Sequence, residues 1–244
     1  MTDLKANAYK EHFLELKKRL LCVIFFFLLA FIGSYLCRES CAHVLIKPLM
    51  RIQGGSVKII YTALPEAFLA YLQLSLFSAL IITIPFISYQ VYAFVAPGLY
   101  NFEKAIAKVL FILAPMLFMS ACFFVYFLIM PLAWSFFLEF GFIKDVPITF
   151  EAKISQYFDL IIKLMLSFGV AFELPIILIM LFLLKIVSLQ GMIKKRRIAI
   201  VINFILAAFL TPPDVLTQVA LALPMCLLYE VAILVCRNIN QLQR

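Results

Sequence analysis

Charge is scarce in this chain, and histidine, glycine and tryptophan are scarcer. Asp and Glu number 13 and Lys and Arg 21 among 244 residues, with two histidines, seven glycines and one tryptophan. Each shortage closes off a class of chemistry. His12 and His43 both lie outside the apolar runs, and no His-Glu-x-x-His is present. There is no pair of aspartates within an apolar run, no nucleophile elbow and no glycine-rich loop to cradle a phosphate. Acid–base catalysis usually needs a second positioned group, so no enzyme, cofactor or metal is expected. The six cysteines show no metal-ligand spacing. Cys37 and Cys41 could pair if they face an oxidising compartment, or serve as small apolar residues. Long alternation of polar and apolar residues is also missing, which excludes a β-barrel.

What remains is apolar. Hydrophobic residues make up 66% of the chain, against about 45–50% in soluble domains. A soluble fold of this size could not bury so much Phe, Leu and Ile, so the chain is read as an all-α integral membrane protein and one membrane domain spanning 1–244. The net charge of +8 is then an orientation signal and not a nucleic-acid footprint.

Residues 1–19 are polar, with Tyr9, Phe13, Leu16 and Leu20 recurring every three or four positions, an amphipathic helix. Six spans follow, at about 20–36, 67–88, 109–131, 156–184, 198–210 and 215–236. The last two are short for a bilayer, which needs about 20 residues per helix. Between the first two, 38–65 reads as a loop punctuated by Pro48 and Gly54-Gly55, with Lys58 to Tyr61 a short extended piece; Pro65-Glu66 suits a helix start. Pro85 and the Tyr89-Gln90-Val91-Tyr92 cluster mark the second exit. Pro97-Gly98 turns the chain, and Asn101 to Lys108 is the polar part of a loop. Pro115 kinks the third span, and Thr149 is a candidate N-cap for the fourth. Fourteen of the 21 Lys and Arg fall on the side of the termini and six on the other. The positive-inside rule therefore puts both termini in the cytoplasm.

Acidic groups are few enough to weigh singly. Glu173 lies deep in the run 164–184 with Pro175 two residues on. A carboxyl there faces protein or water, or carries a proton. It marks either a functional site or a packing bond to a neighbouring helix. Glu15, four before Arg19, reads as an i,i+4 surface pair. Glu103 reads as a helix-start residue. Glu230 could snorkel with help from Arg237. A proton-coupled small-solute transporter with Glu173 as relay and Lys163 as counter-ion is an alternative. It is disfavoured because ten helical residues span about 15 Å and do not share a face.

Four separated stretches carry a more specific signal. They are His12-Phe-Leu-Glu15-Leu-Lys-Lys-Arg19; Tyr89-Gln90-x-Tyr92-x-Phe94-x-Ala96-Pro97-Gly98-Leu99-Tyr100-x-x-Glu103; Phe168-Gly169-x-x-Phe172-Glu173-x-Pro175; and Lys195-Arg196-Arg197 followed by Thr211-Pro212-Pro213-Asp214-Val215-x-x-Gln218. In that order they resemble the TatC family, the polytopic core of the twin-arginine protein translocase. The resemblance implies a receptor in the bacterial cytoplasmic (inner) membrane that binds twin-arginine signal peptides. It would assemble with single-span TatA/TatB-type subunits, self-associate in a larger complex, and export folded proteins on the proton-motive force. It implies a signal-peptide site of Glu15, Glu103, Phe94, Lys17 and Arg19. It also implies a partner-helix docking patch of Glu173, Thr211 and Gln218 on a concave, cupped bundle. Pro48, Pro85, Pro97, Gly98, Pro175 and Asp214 stand as structural or loop-motif positions. Lys17 stands where the family commonly has Arg. Carboxylates suit the task, because a planar guanidinium takes two parallel charge-assisted bonds where lysine is a point charge.

Overall fold

The structure is a computed structural model and describes residues 2–52, 59–140, 151–211 and 214–242. Gly54-Gly55, Lys58 and Thr149 lie outside the described residues. The described residues are almost entirely helical. α1 (Thr2–Leu36) and α2 (Arg38–Ile52) lead through a two-residue strand, β1 (Ile59–Ile60), to α3 (Glu66–Val95). A 3-10 turn over Ala96–Gly98 precedes α4 (Asn101–Phe124). A π turn at Val125–Ile129 joins α4 to α5 (Met130–Phe140). Then come β2 (Ala152–Lys153), α6 (Ile154–Phe172), α7 (Leu174–Leu183), α8 (Leu189–Lys194), α9 (Arg196–Leu210) and α10 (Val215–Leu242).

Among the described residues, five helical stretches are long and apolar enough to cross a membrane: His12–Leu36, Glu66–Gly98, Asn101–Leu138, Ile154–Leu183 and Val215–Gln241. The sixth expected span, α9, has 15 residues, about 22 Å against a hydrocarbon core of about 30 Å. α10 is not short. Its helix runs 28 residues and carries Arg237, Asn238 and Asn240 beyond the apolar run.

Several elements differ from expectation, for identifiable reasons. The loop expected at 38–65 is helical over its first half, because Ala42, Leu45 and Leu49 recur at three and four residues and bury one face. Pro48 lies inside that helix. A proline there deprives the Val44 carbonyl of its donor, and the Tyr126 hydroxyl donates to that carbonyl at 2.9 Å. Pro115 inside α4 frees the Phe111 carbonyl in the same way, and the Ser88 hydroxyl of α3 donates to it. Two prolines are thus tolerated because a hydroxyl from another helix replaces the missing N–H, as helices in lipid require. Pro85 does not end α3 at 88; the helix continues to Val95. Residues 101–108 are the first turns of α4 rather than a loop. The expected fourth helix is broken at Glu173, which closes α6 and opens α7, with Pro175 in the first turn of α7. α6 itself begins with Lys153 as its N-cap.

α1 packs chiefly on α3 and leaves most of its apolar surface exposed; Phe26 stacks on Phe86 with centroids 4.7 Å apart. The core lies among α2, α3, α4 and α6, around the fully buried Phe158 and Phe168. Between lipid-embedded helices, close packing rather than water exclusion holds the contact. Gly169 shows how close it is: a Cβ there would lie 2.3 Å from the Phe118 ring. At the far end of the bundle, β1 pairs in parallel with β2 through Ile59–Ala152 and Ile60–Lys153. Beside this bridge the Glu66 carboxylate accepts from Thr62 N–H at 2.6 Å and from the Ser155 hydroxyl. Cys37 and Cys41 are both free thiols, one helical turn apart.

Candidate functional site

Two carboxylates sit at the end of the bundle where α3 hands over to α4. Glu15 lies on α1, and its Oε1 accepts from Arg19 Nε at 3.0 Å and Nη2 at 2.7 Å. The same guanidinium reaches α3, donating to Gln90 Oε1 at 3.1 Å and to the Ala93 carbonyl at 3.2 Å. The i,i+4 pair expected from spacing is therefore formed, and it also ties α1 to α3. Glu15 Oε2 has no partner among the described residues. Lys17 is exposed and Phe94 half-buried.

Glu103 is the third residue of α4. One carboxylate oxygen, Oε2, accepts the Tyr100 N–H at 3.1 Å, capping the helix start. The residue is 8% exposed, and it opens onto a cavity of about 500 Å³ lined also by Lys185, Ser188, Gln190 and Asn240. Lys185 holds its ammonium 5.9 Å from the centre of the Tyr100 ring and adopts φ 58°. Glu15, Lys17, Arg19 and Phe94 do not line this cavity. The two acids are thus at one end of the bundle in separate settings, each with one oxygen unengaged among the described residues. Gln190 and Asn240 were missed in the sequence because neutral amides near helix ends carry no periodic or charge signal, and Gln90 stands out there only as part of an interface cluster and a motif, not as a partner of Arg19.

The second expected patch is less assembled. Glu173 is half-buried at the helix break, with no hydrogen bond or ion pair to its carboxylate among the described residues. Thr211 is buried and donates back to the Ala207 carbonyl of its own helix at 2.9 Å. Gln218 Nε2 donates to the Phe204 carbonyl at 3.3 Å, holding α10 to α9. None of the three bonds another. The Ser167 hydroxyl donates to the Leu210 carbonyl, joining α6 to the end of α9 beside Thr211. Asp214 accepts the Thr217 N–H at 2.7 Å and its hydroxyl, so its motif position caps α10.

Lys163 and Glu230 take partners that the sequence did not single out. Lys163 bonds Asp159 Oδ2 at 2.7 Å, so the counter-ion role beside Glu173 that a solute transporter would use is taken. Glu230 pairs with Arg196 at 2.9 Å instead of leaning on Arg237. A polar seam between α3 and α6 was also missed: Gln73 Nε2 donates to Asp159 Oδ1 at 3.2 Å. Its signal is Ser155, Asp159 and Lys163 at intervals of four, on one face of α6.

A family model described as Sec-independent protein translocase protein (TatC) matches residues 11–224. The Sec-independent protein translocase protein TatC of Rickettsia prowazekii (strain Madrid E) is 47% identical over 240 residues, 97% of this chain and 95% of that protein. The corresponding protein of Magnetococcus marinus is 38% identical over 231 residues, covering 95% of this chain and 84% of its own length. A crystal structure of the twin arginine translocase receptor TatC matches with a TM-score of 0.78 at 32% identity, covering 93% of this chain and 98% of that one. In sequence over nearly its whole length, and in fold, this chain belongs to the TatC family of Sec-independent protein translocase proteins.

Proposed function

We propose that this protein is the receptor core of a twin-arginine translocase in the bacterial cytoplasmic membrane. It binds the paired arginines of signal peptides through Glu103 and Glu15. It assembles with single-span TatA/TatB-type subunits at the patch around Glu173, Thr211 and Gln218, self-associates in a larger complex, and exports folded proteins on the proton-motive force. Its six spans are α1, α3, α4, the broken α6–α7, the short α9, and α10, and they form a cupped bundle with both termini cytoplasmic. The fourteen Lys and Arg on the terminal side support that orientation.

The observation that carries the reading is the cavity at Glu103. A nearly buried carboxylate with one free oxygen, facing about 500 Å³ rimmed by Gln190, Ser188 and Asn240, suits a guanidinium, which needs a charged acceptor and several neutral ones. Arg19 holds the second carboxylate, presenting Glu15 with its other oxygen open among the described residues; Lys17 and Phe94 are assigned to the same site by the family motif. The test is site-specific crosslinking from Gln190, which leaves Glu103 intact, to a signal peptide bearing Arg-Arg or Lys-Lys. Strong crosslinking to Arg-Arg and weak crosslinking to Lys-Lys is expected. Equal yields would remove Glu103 as the reader of the pair.

A further inference from the structure

A groove between α7 and α9 has no place in the proposed translocase sites. It has a volume of about 260 Å³ and is lined by Leu174 and Leu178 of α7, by Ile198, Ala199, Ile202 and Leu206 of α9, and at its mouth by Lys195. The positions on α9 follow one helical face, at steps of three and four from 195 to 206. Eleven residues of helix make the trough about 16 Å long, close to half of a hydrocarbon core of about 30 Å. One end is cationic. Lys194, Lys195 and Arg197 are exposed and have no ion-pair partner among the described residues, while their neighbour Arg196 is held by Glu230.

We propose that this groove holds an anionic phospholipid, its phosphate against Lys195 at the mouth with the adjacent Lys194 alongside, and one acyl chain lying along α9. A cation cluster at the mouth of a trough one leaflet deep fits both halves of such a lipid. A soluble phosphate would leave the apolar trough uncovered, and a neutral lipid would leave the cationic mouth unanswered. Basic pockets between spans are where anionic headgroups are recognised. α9 also falls about 8 Å short of the bilayer core, so a lipid fixed at its basic end would hold the locally thinned membrane in register. The inference stands apart from the signal-peptide site and does not need it.

Native mass spectrometry of the full chain in detergent tests this, with phosphatidylglycerol and phosphatidylcholine of identical acyl chains as probes. The wild-type protein should retain phosphatidylglycerol preferentially. The Lys194→Gln/Lys195→Gln variant should lose that preference, by roughly fivefold for each cation removed, whereas Arg197→Gln, on the opposite face of α9, should keep it. Ala199→Phe, which fills the trough and spares every charge, should also lower retention. Excess glycerol phosphate should fail to displace the lipid. Equal retention of the two lipids by wild type would overturn the proposal and leave the groove to a partner helix. Unchanged retention in Ala199→Phe, or displacement by glycerol phosphate, would overturn it in favour of headgroup adsorption alone. The wild-type comparison needs no variant to fold.

Discussion

Glu103 has two jobs that a single substitution can separate. Its carboxylate accepts the Tyr100 N–H at the start of α4 and also faces the cavity. Glutamine keeps an acceptor for the helix start and removes the charge; alanine removes both. Both Glu103→Gln and Glu103→Ala should cut crosslinking of an Arg-Arg peptide about tenfold or more, from the loss of a charge-assisted bond. Only Glu103→Ala should also lower thermal stability, by about 1 kcal/mol for the lost cap. Undiminished crosslinking in Glu103→Gln would mean that the charge does not read the peptide. At this scale the acids themselves were legible in the sequence, because charge is so rare here that each carboxylate stands out. Their companions were not: Gln90 joins Glu15 only through Arg19, and Asn240 reaches the cavity from a helix more than a hundred residues away.

Among the elements, the prolines carry the most information. Ser88 and Tyr126 each supply the bond that Pro115 and Pro48 take away. Ser88→Ala should therefore leave the Phe111 carbonyl bare and cost about 1–3 kcal/mol. Combined with Pro115→Ala, which restores the helix's own N–H, most of that loss should be recovered. Thermal melts of the single and double variants in detergent decide it. An additive double variant would show that the hydroxyl is not the substitute donor. The apolar runs and their order were readable because spans are long and continuous. The helical start of α4 at 101 and all of α2 were not, since polar residues at a helix end look like loop in a sequence. So does a proline whose lost bond is repaired by a hydroxyl 23 or 82 residues from the freed carbonyl.

For the whole molecule, orientation is the quantity most open to direct measurement. Single cysteines at positions 103 and 194, in a background lacking the six native ones, should react with an impermeant maleimide only after the membrane is opened from the cytoplasmic side. A cysteine at 61, beside the β1–β2 bridge, should react from outside. Labelling of 103 or 194 in intact cells would invert the proposed topology. The number of spans was overt in the hydropathy except at α9, where 15 residues leave the count resting on the charges at 194–197 and the break at 211–214. The break within the fourth span was signalled by Pro175, but its place at Glu173 depends on how α6 packs, which no single-chain pattern records.

The π turn at Val125–Ile129 makes the length of the third span negotiable. Its Met130 N–H reaches back five residues to the Val125 carbonyl, so one residue is held there beyond what an α-helix would use. Loss of a residue from this turn can be absorbed by its tightening to an α-helix, with the faces before and after it still in phase. Trp134 would keep its stack on Tyr157, 5.2 Å between centroids. Loss of a residue between 105 and 109 would instead rotate Glu103 by about 100° relative to the rest of α4. Relatives of this chain should therefore differ by single insertions and deletions at 125–129 far more often than one turn to either side. Single-residue deletions scanned from α4 through the π turn into α5 should show one permissive window, at the π turn.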